Sequence, residues 1–245
     1  MQRRDFIKKS TLMSGLLIIN PKINFNLFNE FSEDELIGKG NPAFYGDGFK
    51  LRKETASQFN LMKKLAKENG FNIHVISSYR SYSHQNSIWE RKYKSYRNQG
   101  LSHEKTIEKI IQYSTIPGTS RHHWGTDLDI IDSTKGIPSN PLSETHFNKG
   151  GRMHNFKNWL DENSEKFGFY LVYTNAKDRK GFAYEPWHFS YKPLSIKMLK
   201  EYKTLDIKKL LQSNKLMGSE HFSDEFVEKY KRENILDINP ALLPS

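Results

Sequence analysis

Apolar and polar residues alternate along this chain with two different periods, which predict helices and short strands. Between residues 54 and 69 the apolar positions recur every three or four residues, and they are Phe59, Met62, Leu65 and Ala66. This period is typical of an amphipathic helix, and Gly70 is placed to end it. Ile73 and Val75 then alternate with polar neighbours and predict a half-buried strand.

The remaining periodic segments predict a mixed domain. Predicted helices cover about 83–98, 103–114, 153–166 and 195–202, and predicted strands cover 128–131, 169–174 and 183–191. We therefore predict an α+β domain over residues 26–204, with a small, mainly antiparallel sheet flanked by helices. Residues 205–245 have a more balanced charge and a strong helical segment, so we predict a helical carboxy-terminal extension.

Residues 1–25 have the layout of an export signal. Arg3 and Arg4 precede an apolar run from Leu12 to Ile19, and the paired arginines resemble a twin-arginine signal. We therefore expect the protein in the periplasm or cell envelope. No transmembrane anchor is expected, because the run is much shorter than the roughly 20 residues of a membrane span. The cleavage site stays open, and a basic first helix of a cytoplasmic protein is the alternative.

Composition limits the chemistry and the partners. The chain has no cysteine, so any metal must be held by histidines and carboxylates. The net charge of +10 suggests an acidic partner. Part of this charge lies on the predicted helix 83–98, on Arg91, Lys92, Lys94 and Arg97. That helix face is either simply solvated or attracts an acidic wall polymer; nucleic acid is not expected, because binding it would require a protein that is not exported.

Two segments concentrate metal-binding residue types at predicted strand ends. They are residues 120–129, SRHHWGTDLD, and residues 185–188, EPWH. Together they offer two histidines and an aspartate, one of the usual ligand sets of catalytic zinc. Glu185 precedes His188 by three residues across a proline, so it can border the same cavity without touching the metal. A carboxylate in that position can accept the proton of water whose pKa the metal lowers to about 7.

These motifs resemble the D-alanyl-D-alanine carboxypeptidase family of zinc peptidases, of the VanY and VanX type. The family pattern S-x-H-x-x-G-x-x-x-D, followed by E-x-x-H, is matched by Ser120, His122, Gly125, Asp129, Glu185 and His188. A third segment, similar to the family's G-Y-R-S-x-x-x-Q, contains Tyr79, Arg80, Ser81 and Gln85. The order and spacing of all three segments agree with the family pattern.

The resemblance implies a role for each matching residue. Three residues would bind one Zn²⁺ per chain in a cleft on the sheet: His122, Asp129 and His188. Glu185 would be the catalytic base, and Arg80 would face the carbonyl or the carboxylate of the substrate. Ser120 and Gln85 would form hydrogen bonds with the substrate or with a ligand residue.

Two residues within the motifs have no role fixed by the resemblance. Asp127 stands where the family usually has a small apolar residue, and on a strand it would point the same way as Asp129. It either supports the site from behind or competes with Asp129 as the ligand. His123 should point away from its neighbour His122, and we interpret it as structural or as lining the pocket.

The function implied by the resemblance is zinc-dependent hydrolysis of peptidoglycan stem peptides, most directly removal of the last D-alanine from a stem ending in D-Ala-D-Ala. A cell-wall endopeptidase and an L,D-carboxypeptidase of the same family are alternatives, because they share these motifs. A zinc-containing wall-binding module without turnover is a third alternative, against which the intact Glu185 argues. The sequence does not determine the oligomeric state.

Overall fold

A four-stranded antiparallel sheet lies at the centre of the fold, as the computed structural model shows for residues 30–213 and 215–244. The strands are β1 (Ile73–Ser77), β2 (Asp127–Asp132), β3 (Phe169–Leu171) and β4 (His188–Tyr191). Their order in the sheet is β1-β2-β4-β3, and every neighbouring pair is antiparallel. The predicted export signal, residues 1–25, lies outside the described residues.

Eight α-helices surround the sheet in the described part of the chain. They are α1 (Glu33–Leu36), α2 (Lys53–Glu68), α3 (Tyr82–Asn98), α4 (His103–Ile111), α5 (His154–Asn163), α6 (Lys192–Tyr202), α7 (Ile207–Ser213) and α8 (Asp224–Tyr230). Serine caps set the start of α1, α3, α4 and α8; for example, Ser81 accepts a hydrogen bond from the backbone N–H of His84, and Ser102 accepts one from that of Lys105. The predicted α+β class with its small antiparallel sheet is confirmed.

Some predicted boundaries differ from the structure. The strand expected over 183–191 begins only at His188, and residues 183–187 form a loop. Pro186 has no N–H to donate to a neighbouring strand, which explains why pairing cannot extend through it.

In the described residues no helix combines the length and the apolar character that a membrane crossing requires.

Two apolar clusters hold the fold together. The first joins the sheet to α2 and α5, and its fully buried members include Phe59, Met62, Leu128, Ile130 and Leu160. The second packs α3, α4 and α6 against the segment predicted as a carboxy-terminal extension. Leu211 and Leu242 of that segment are fully buried in the same cluster as Trp89 of α3. Residues 205–244 therefore contribute to the core beside α3, at about 1.5–3 kcal/mol for each fully buried large apolar side chain.

Strand β2 is buried along its whole length, and it has one apolar face and one polar face. Successive side chains of a strand point to opposite faces, so Leu128 and Ile130 face the first apolar cluster while Asp127 and Asp129 face the other way. The polar face of this central strand is where the motif residues meet.

A bulge in β1 adjusts the register beside this polar face. Ile73 pairs with Asp132 and Val75 with Ile130, but the next pair is Ser77 with Asp129. One extra residue, Ile76, is therefore accommodated in β1. The bulge places Ser77 directly opposite Asp129.

Candidate active site

Three motif residues meet on the polar face of the sheet. His122 lies in a short 3-10 turn, Arg121–Trp124, just before β2, and Asp129 lies on β2 directly opposite His188 of β4. The Nε2 atom of His122 is 3.3 Å from Oδ2 of Asp129, and Nδ1 of His188 is 3.6 Å from Oδ1 of Asp129. One potential ligand atom from each residue lies within 4.8 Å of the others, and all three residues are buried.

The second nitrogen of each histidine is held by the protein. Nδ1 of His122 lies 2.8 Å from the carbonyl oxygen of Ser78, to which it can only donate. Nε2 of His188 lies 3.0 Å from Oδ2 of Asp127, to which it likewise donates. When the rings are neutral, these bonds place the remaining lone pair on Nε2 of His122 and on Nδ1 of His188, the two nitrogens on the side of Asp129.

Asp127 is fully buried, and both oxygens of its carboxylate already accept hydrogen bonds. Its carboxylate accepts hydrogen bonds from Nε of Arg121 (2.9 Å) and from the hydroxyls of Thr126 (2.8 Å) and Ser190 (2.7 Å), besides that from His188. Burial would raise the pKa of Asp127, but the charge of Arg121 and the hydrogen bond to His188 outweigh burial and hold the pKa well below its usual range. Of the two alternatives left open by the sequence, the structure therefore supports the positioning role behind the histidine.

The carboxylates around His188 favour the protonated, positively charged form of its ring. Burial lowers the pKa of His188, but its hydrogen bonds to Asp127 and Glu185 and the charge of Asp129 together raise it to about 10. Oδ1 of Asp129 is buried and has no hydrogen-bond partner among the described residues. Two imidazole nitrogens and an unpartnered carboxylate oxygen, converging in a buried site, fit a divalent metal and match the donor set of catalytic zinc.

A second group in the described residues also has close donor atoms, but its surroundings differ. His103, Glu220 and His221 are partly or fully exposed. The Nδ1 atom of His103 is hydrogen-bonded to Tyr93, and Nδ1 of His221 lies 3.3 Å from Glu104. Ordinary ion pairs and ring stacking account for this group, so the buried group is the stronger candidate for a metal site.

Glu185 lies in the loop before β4, beside the ligand group and open to the cleft. Its Oε2 atom is 3.0 Å from Nδ1 of His188, and its side chain is 15% exposed. Two backbone hydrogen bonds fix the loop, from Glu185 N–H to the carbonyl of Tyr173 and from His188 N–H to the carbonyl of Glu185. The carboxylate is thus held next to the position that a metal and its bound substrate would share.

Arg80 lines the same cleft, from the loop between β1 and α3. Its guanidinium donates to Oε1 of Gln85 (2.7 Å) and to the hydroxyl of Ser77 (2.8 Å), and Nη2 is 4.0 Å from Oδ2 of Asp129. Burial lowers the pKa of Arg80, and the charges of Asp129 and Glu185 oppose that shift. An arginine remains protonated under such conditions, so it presents a fixed positive charge to the cleft.

Gln85 has a different place from the one expected. Its side chain is fully buried in α3. Its amide oxygen accepts the hydrogen bond from Arg80, and its amide nitrogen donates one to the carbonyl of Thr115 (2.8 Å). It is absent from the residues that line the cleft. In this structure Gln85 therefore positions Arg80, and a hydrogen bond from Gln85 to substrate or to a ligand residue stays a prediction. Ser120, by contrast, does line the cleft.

His123 has a role that the sequence did not reveal. Its ring is fully buried, with Nε2 accepting a hydrogen bond from the N–H of Gly118 (3.1 Å) and Nδ1 donating to the carbonyl of Arg80 (2.6 Å). Burial lowers the pKa of His123 to about 3, so the ring is neutral at ordinary pH. Gly38 packs so closely that a Cβ atom there would lie 2.4 Å from the ring. His123 therefore fixes the backbone of the arginine rather than lining the pocket.

The site opens into a cleft of about 570 Å³. Its wall includes Tyr113, Ser120, Tyr173, Tyr184 and Trp187, as well as residues of α3. The ring of Tyr173 stands edge-on to that of His188, with centroids 5.1 Å apart. Tyr173 was missed from the sequence, because nothing in its neighbourhood distinguishes it from any other buried strand-end aromatic. A cleft of this size accommodates several residues of a peptide.

Comparisons with known proteins agree with these features. Residues 48–194 match the model of the family VanY, D-alanyl-D-alanine carboxypeptidase. The chain is 30% identical over 142 residues to the putative carboxypeptidase YodJ of Bacillus subtilis, a match that covers 58% of this chain and 46% of YodJ. It is 32% identical over 127 residues to a D-alanyl-D-alanine carboxypeptidase of Enterococcus faecalis, covering 51% of this chain and 42% of that protein. The match thus spans slightly less than half the length of these relatives.

A solved structure shows the same fold. It is that of a variant of the vancomycin resistance D,D-pentapeptidase VanY from a VanB-type resistance cassette, in complex with Zn(II). The TM-score is 0.50 at 23% sequence identity, and the alignment covers 69% of this chain and 88% of that one. The family match includes all the motif residues, from Arg80 to His188. The chain therefore belongs to the VanY family of D-alanyl-D-alanine carboxypeptidases.

Proposed function

We propose that this protein is a zinc-dependent carboxypeptidase that removes the terminal D-alanine from peptidoglycan stem peptides ending in D-Ala-D-Ala. The observation that carries the proposal is the buried group His122, Asp129 and His188, with Glu185 3.0 Å from a ligand histidine. Membership of the VanY family and the Zn(II) complex of a protein with the same fold support it.

His122, Asp129 and His188 would hold the ion through Nε2, a carboxylate oxygen and Nδ1, respectively. Zinc bound there would lower the pKa of a bound water to about 7 and would polarise the substrate carbonyl. Asp127 and the carbonyl of Ser78 keep the two imidazoles in the ligating tautomer. Such supporting hydrogen bonds typically affect metal affinity by about 10- to 100-fold.

The side chains of this protein move the proton. Glu185 accepts a proton as the water oxygen attacks the carbonyl carbon, and it gives that proton to the amine nitrogen as the C–N bond breaks. The products are the shortened peptide with a new carboxylate and free D-alanine. Arg80 lies beside Asp129 and lines the same cleft, where its guanidinium can stabilise the developing oxyanion or bind the terminal carboxylate of the substrate.

The cleft and the proposed location suit this substrate. A stem peptide is long and flexible, and the cleft of about 570 Å³ offers aromatic and charged walls beyond the metal group. The export signal predicted for residues 1–25 would bring the protein to the envelope, where stem peptides occur. Peptidoglycan is thus the proposed partner, and nucleic acid is not.

Defined muropeptides, incubated with purified, zinc-loaded protein and analysed by mass spectrometry, test the proposal. Loss of one D-alanine from pentapeptide stems is expected. Cleavage of cross-linked stems alone would identify an endopeptidase, and cleavage only of tetrapeptide stems would identify an L,D-carboxypeptidase. Binding of stems without any cleavage would identify a wall-binding module. Each of the last three results would contradict the proposed reaction.

The first prediction concerns the metal. One zinc per chain is expected, and His122→Ala, Asp129→Ala and His188→Ala should each lose it, because two remaining ligands do not hold zinc in a catalytic site. Elemental analysis of dialysed protein measures this. Asp127→Asn serves as the control and should keep zinc with weaker affinity. Full zinc in Asp129→Ala together with none in Asp127→Asn would reverse the ligand assignment.

The second prediction concerns Arg80. Arg80→Ala should keep the metal and lose kcat/KM, by roughly 10²- to 10³-fold if the guanidinium stabilises the oxyanion. A substrate amidated at its carboxy terminus separates the two possible contacts. If Arg80 binds the terminal carboxylate, amidation should slow the wild type strongly and the variant little. Unchanged kcat/KM for Arg80→Ala on the free acid would exclude both contacts.

A further inference from the structure

The four basic residues of helix α3 fall into two kinds. Lys94 pairs with Glu90 at 3.5 Å, one turn away, and the guanidinium of Arg97 donates to the carbonyl of Leu101. Arg91 and Lys92 have no ion pair or hydrogen bond with any residue that the structure describes. Both of them line the cleft of the proposed active site. The basic run noted in the sequence therefore divides into a pair with local partners and a pair that faces the site.

The position of Lys92 along α3 gives its distance from Arg80. Gln85, Ile88 and Lys92 follow one another at helical spacing and share a face. Gln85 holds the guanidinium of Arg80, and both Ile88 and Lys92 line the cleft. Seven residues of α-helix rise about 10 Å, so the backbone of Lys92 lies about 10 Å along the helix axis from that of Gln85, which holds Arg80.

The surroundings of Lys92 favour an anion. The side chain is partly buried, and burial lowers its pKa. The neighbouring charges of Arg80 and Arg91 lower it further, and only Glu185 opposes them. Glu185 is the one negative group among those that shift this pKa, so a carboxylate bound here would add counter-charge beside the three cations. A charge-assisted hydrogen bond of this kind is shorter and stronger than one between neutral groups.

We propose that Arg91 and Lys92 form a second cationic subsite, which binds a carboxylate of the substrate about three residues to the amino-terminal side of the scissile bond. An extended peptide advances about 3.3–3.6 Å per residue, so three residues span the 10 Å along α3. A carboxypeptidase substrate has only one residue beyond the scissile bond, so a subsite this distant meets the amino-terminal part. The inference rests on the proposed carboxypeptidase function and specifies its substrate class as stems with a free acidic side group.

Two synthetic stem peptides test the subsite. One is L-Ala-γ-D-Glu-L-Lys-D-Ala-D-Ala, whose glutamate carries a free α-carboxylate on the third residue before the scissile bond. The other has D-isoglutamine at that position, which replaces the carboxylate by an amide. We expect zinc-loaded wild type to have a kcat/KM about tenfold higher for the acid peptide, the factor that corresponds to about 1.4 kcal/mol.

Variants of α3 assign the preference to a residue. Lys92→Met should bring the acid-to-amide ratio of kcat/KM close to one, and Arg91→Gln should lower it in part, since Arg91 is exposed. Lys94→Met is the matched control: it removes a lysine two residues away that pairs with Glu90 and does not line the cleft. The control should keep the tenfold ratio.

The outcomes separate this inference from the proposed function. Cleavage of both peptides by wild type at equal kcat/KM would overturn the subsite while leaving the carboxypeptidase reaction intact. A preference that persists in Lys92→Met and Arg91→Gln would also overturn it. Failure of zinc-loaded wild type to cleave either peptide would refute the proposed function itself, and the subsite with it.

Discussion

Replacing Glu185 by alanine is expected to lower kcat by about 10²- to 10⁴-fold while the protein keeps its zinc. That is the usual contribution of a general acid or base, and in the proposed reaction one carboxylate serves in both proton transfers. Glu185 contacts a ligand histidine without belonging to the group His122, Asp129 and His188. Steady-state kinetics on a stem pentapeptide, with elemental analysis of the same sample, measures both quantities.

A second carboxylate on the wall of the same cleft provides the control. Glu144 is exposed and forms no hydrogen bond with the two histidines of the site. Glu144→Ala should therefore leave kcat within a few-fold of the wild type. A zinc-loaded Glu185→Ala protein that releases D-alanine at the wild-type rate would refute the mechanism.

Asp127→Ala is expected to destabilise the metal-free protein by about 3–5 kcal/mol. The substitution leaves the guanidinium of Arg121, whose side chain is only 5% exposed, as an unpaired buried charge. It also removes the acceptor used by the hydroxyls of Thr126 and Ser190. Urea denaturation followed by circular dichroism gives the change in the free energy of unfolding.

A surface ion pair shows what a non-buried charge contributes. Glu90 and Lys94 pair at 3.5 Å on α3, with side chains 39% and 61% exposed. Glu90→Ala should cost less than about 1 kcal/mol, the usual value for exposed pairs. Equal destabilisation by Asp127→Ala and Glu90→Ala would show that the buried network contributes no more than a surface pair.

The sequence predicted the elements of this protein better than the contacts between them. The alternation around Ile73 and the apolar run at Leu128 indicated two strands that the structure contains as β1 and β2. The resemblance to the family pattern implied that His122 and Asp129 share one site, and the structure places them 3.3 Å apart. The two strand predictions rest on local periodicity, which the sequence carries directly.

Contacts between residues that lie far apart in the chain could not be predicted from the sequence. Gln85 was expected at the substrate, but its side chain reaches Thr115, 30 residues away, and holds Arg80. His123 bonds to the backbone of Arg80 across 43 residues. No local pattern encodes such pairings, because they depend on how α3 and the 3-10 turn pack together.

The carboxy-terminal segment shows the same limit. Its balanced charge suggested an extension, yet its apolar residues bury against α3 and α4. Ile207, Leu210 and Leu211 have the spacing of an amphipathic helix, and all three are buried. Net charge describes the solvent-facing side of such a helix and does not report what its other side covers.

Anyone who engineers this scaffold must preserve the pairing register that the bulge gives to β1. Without the extra residue, continuous pairing from Val75 with Ile130 would place Ile76 opposite Asp129, where Ser77 now stands. Loss of the bulge with every residue kept would thus set an isoleucine where the hydroxyl that orients Arg80 is required, and would displace the Ser78 carbonyl that fixes the tautomer of His122. The position of the bulge therefore decides which side chain of β1 faces Asp129.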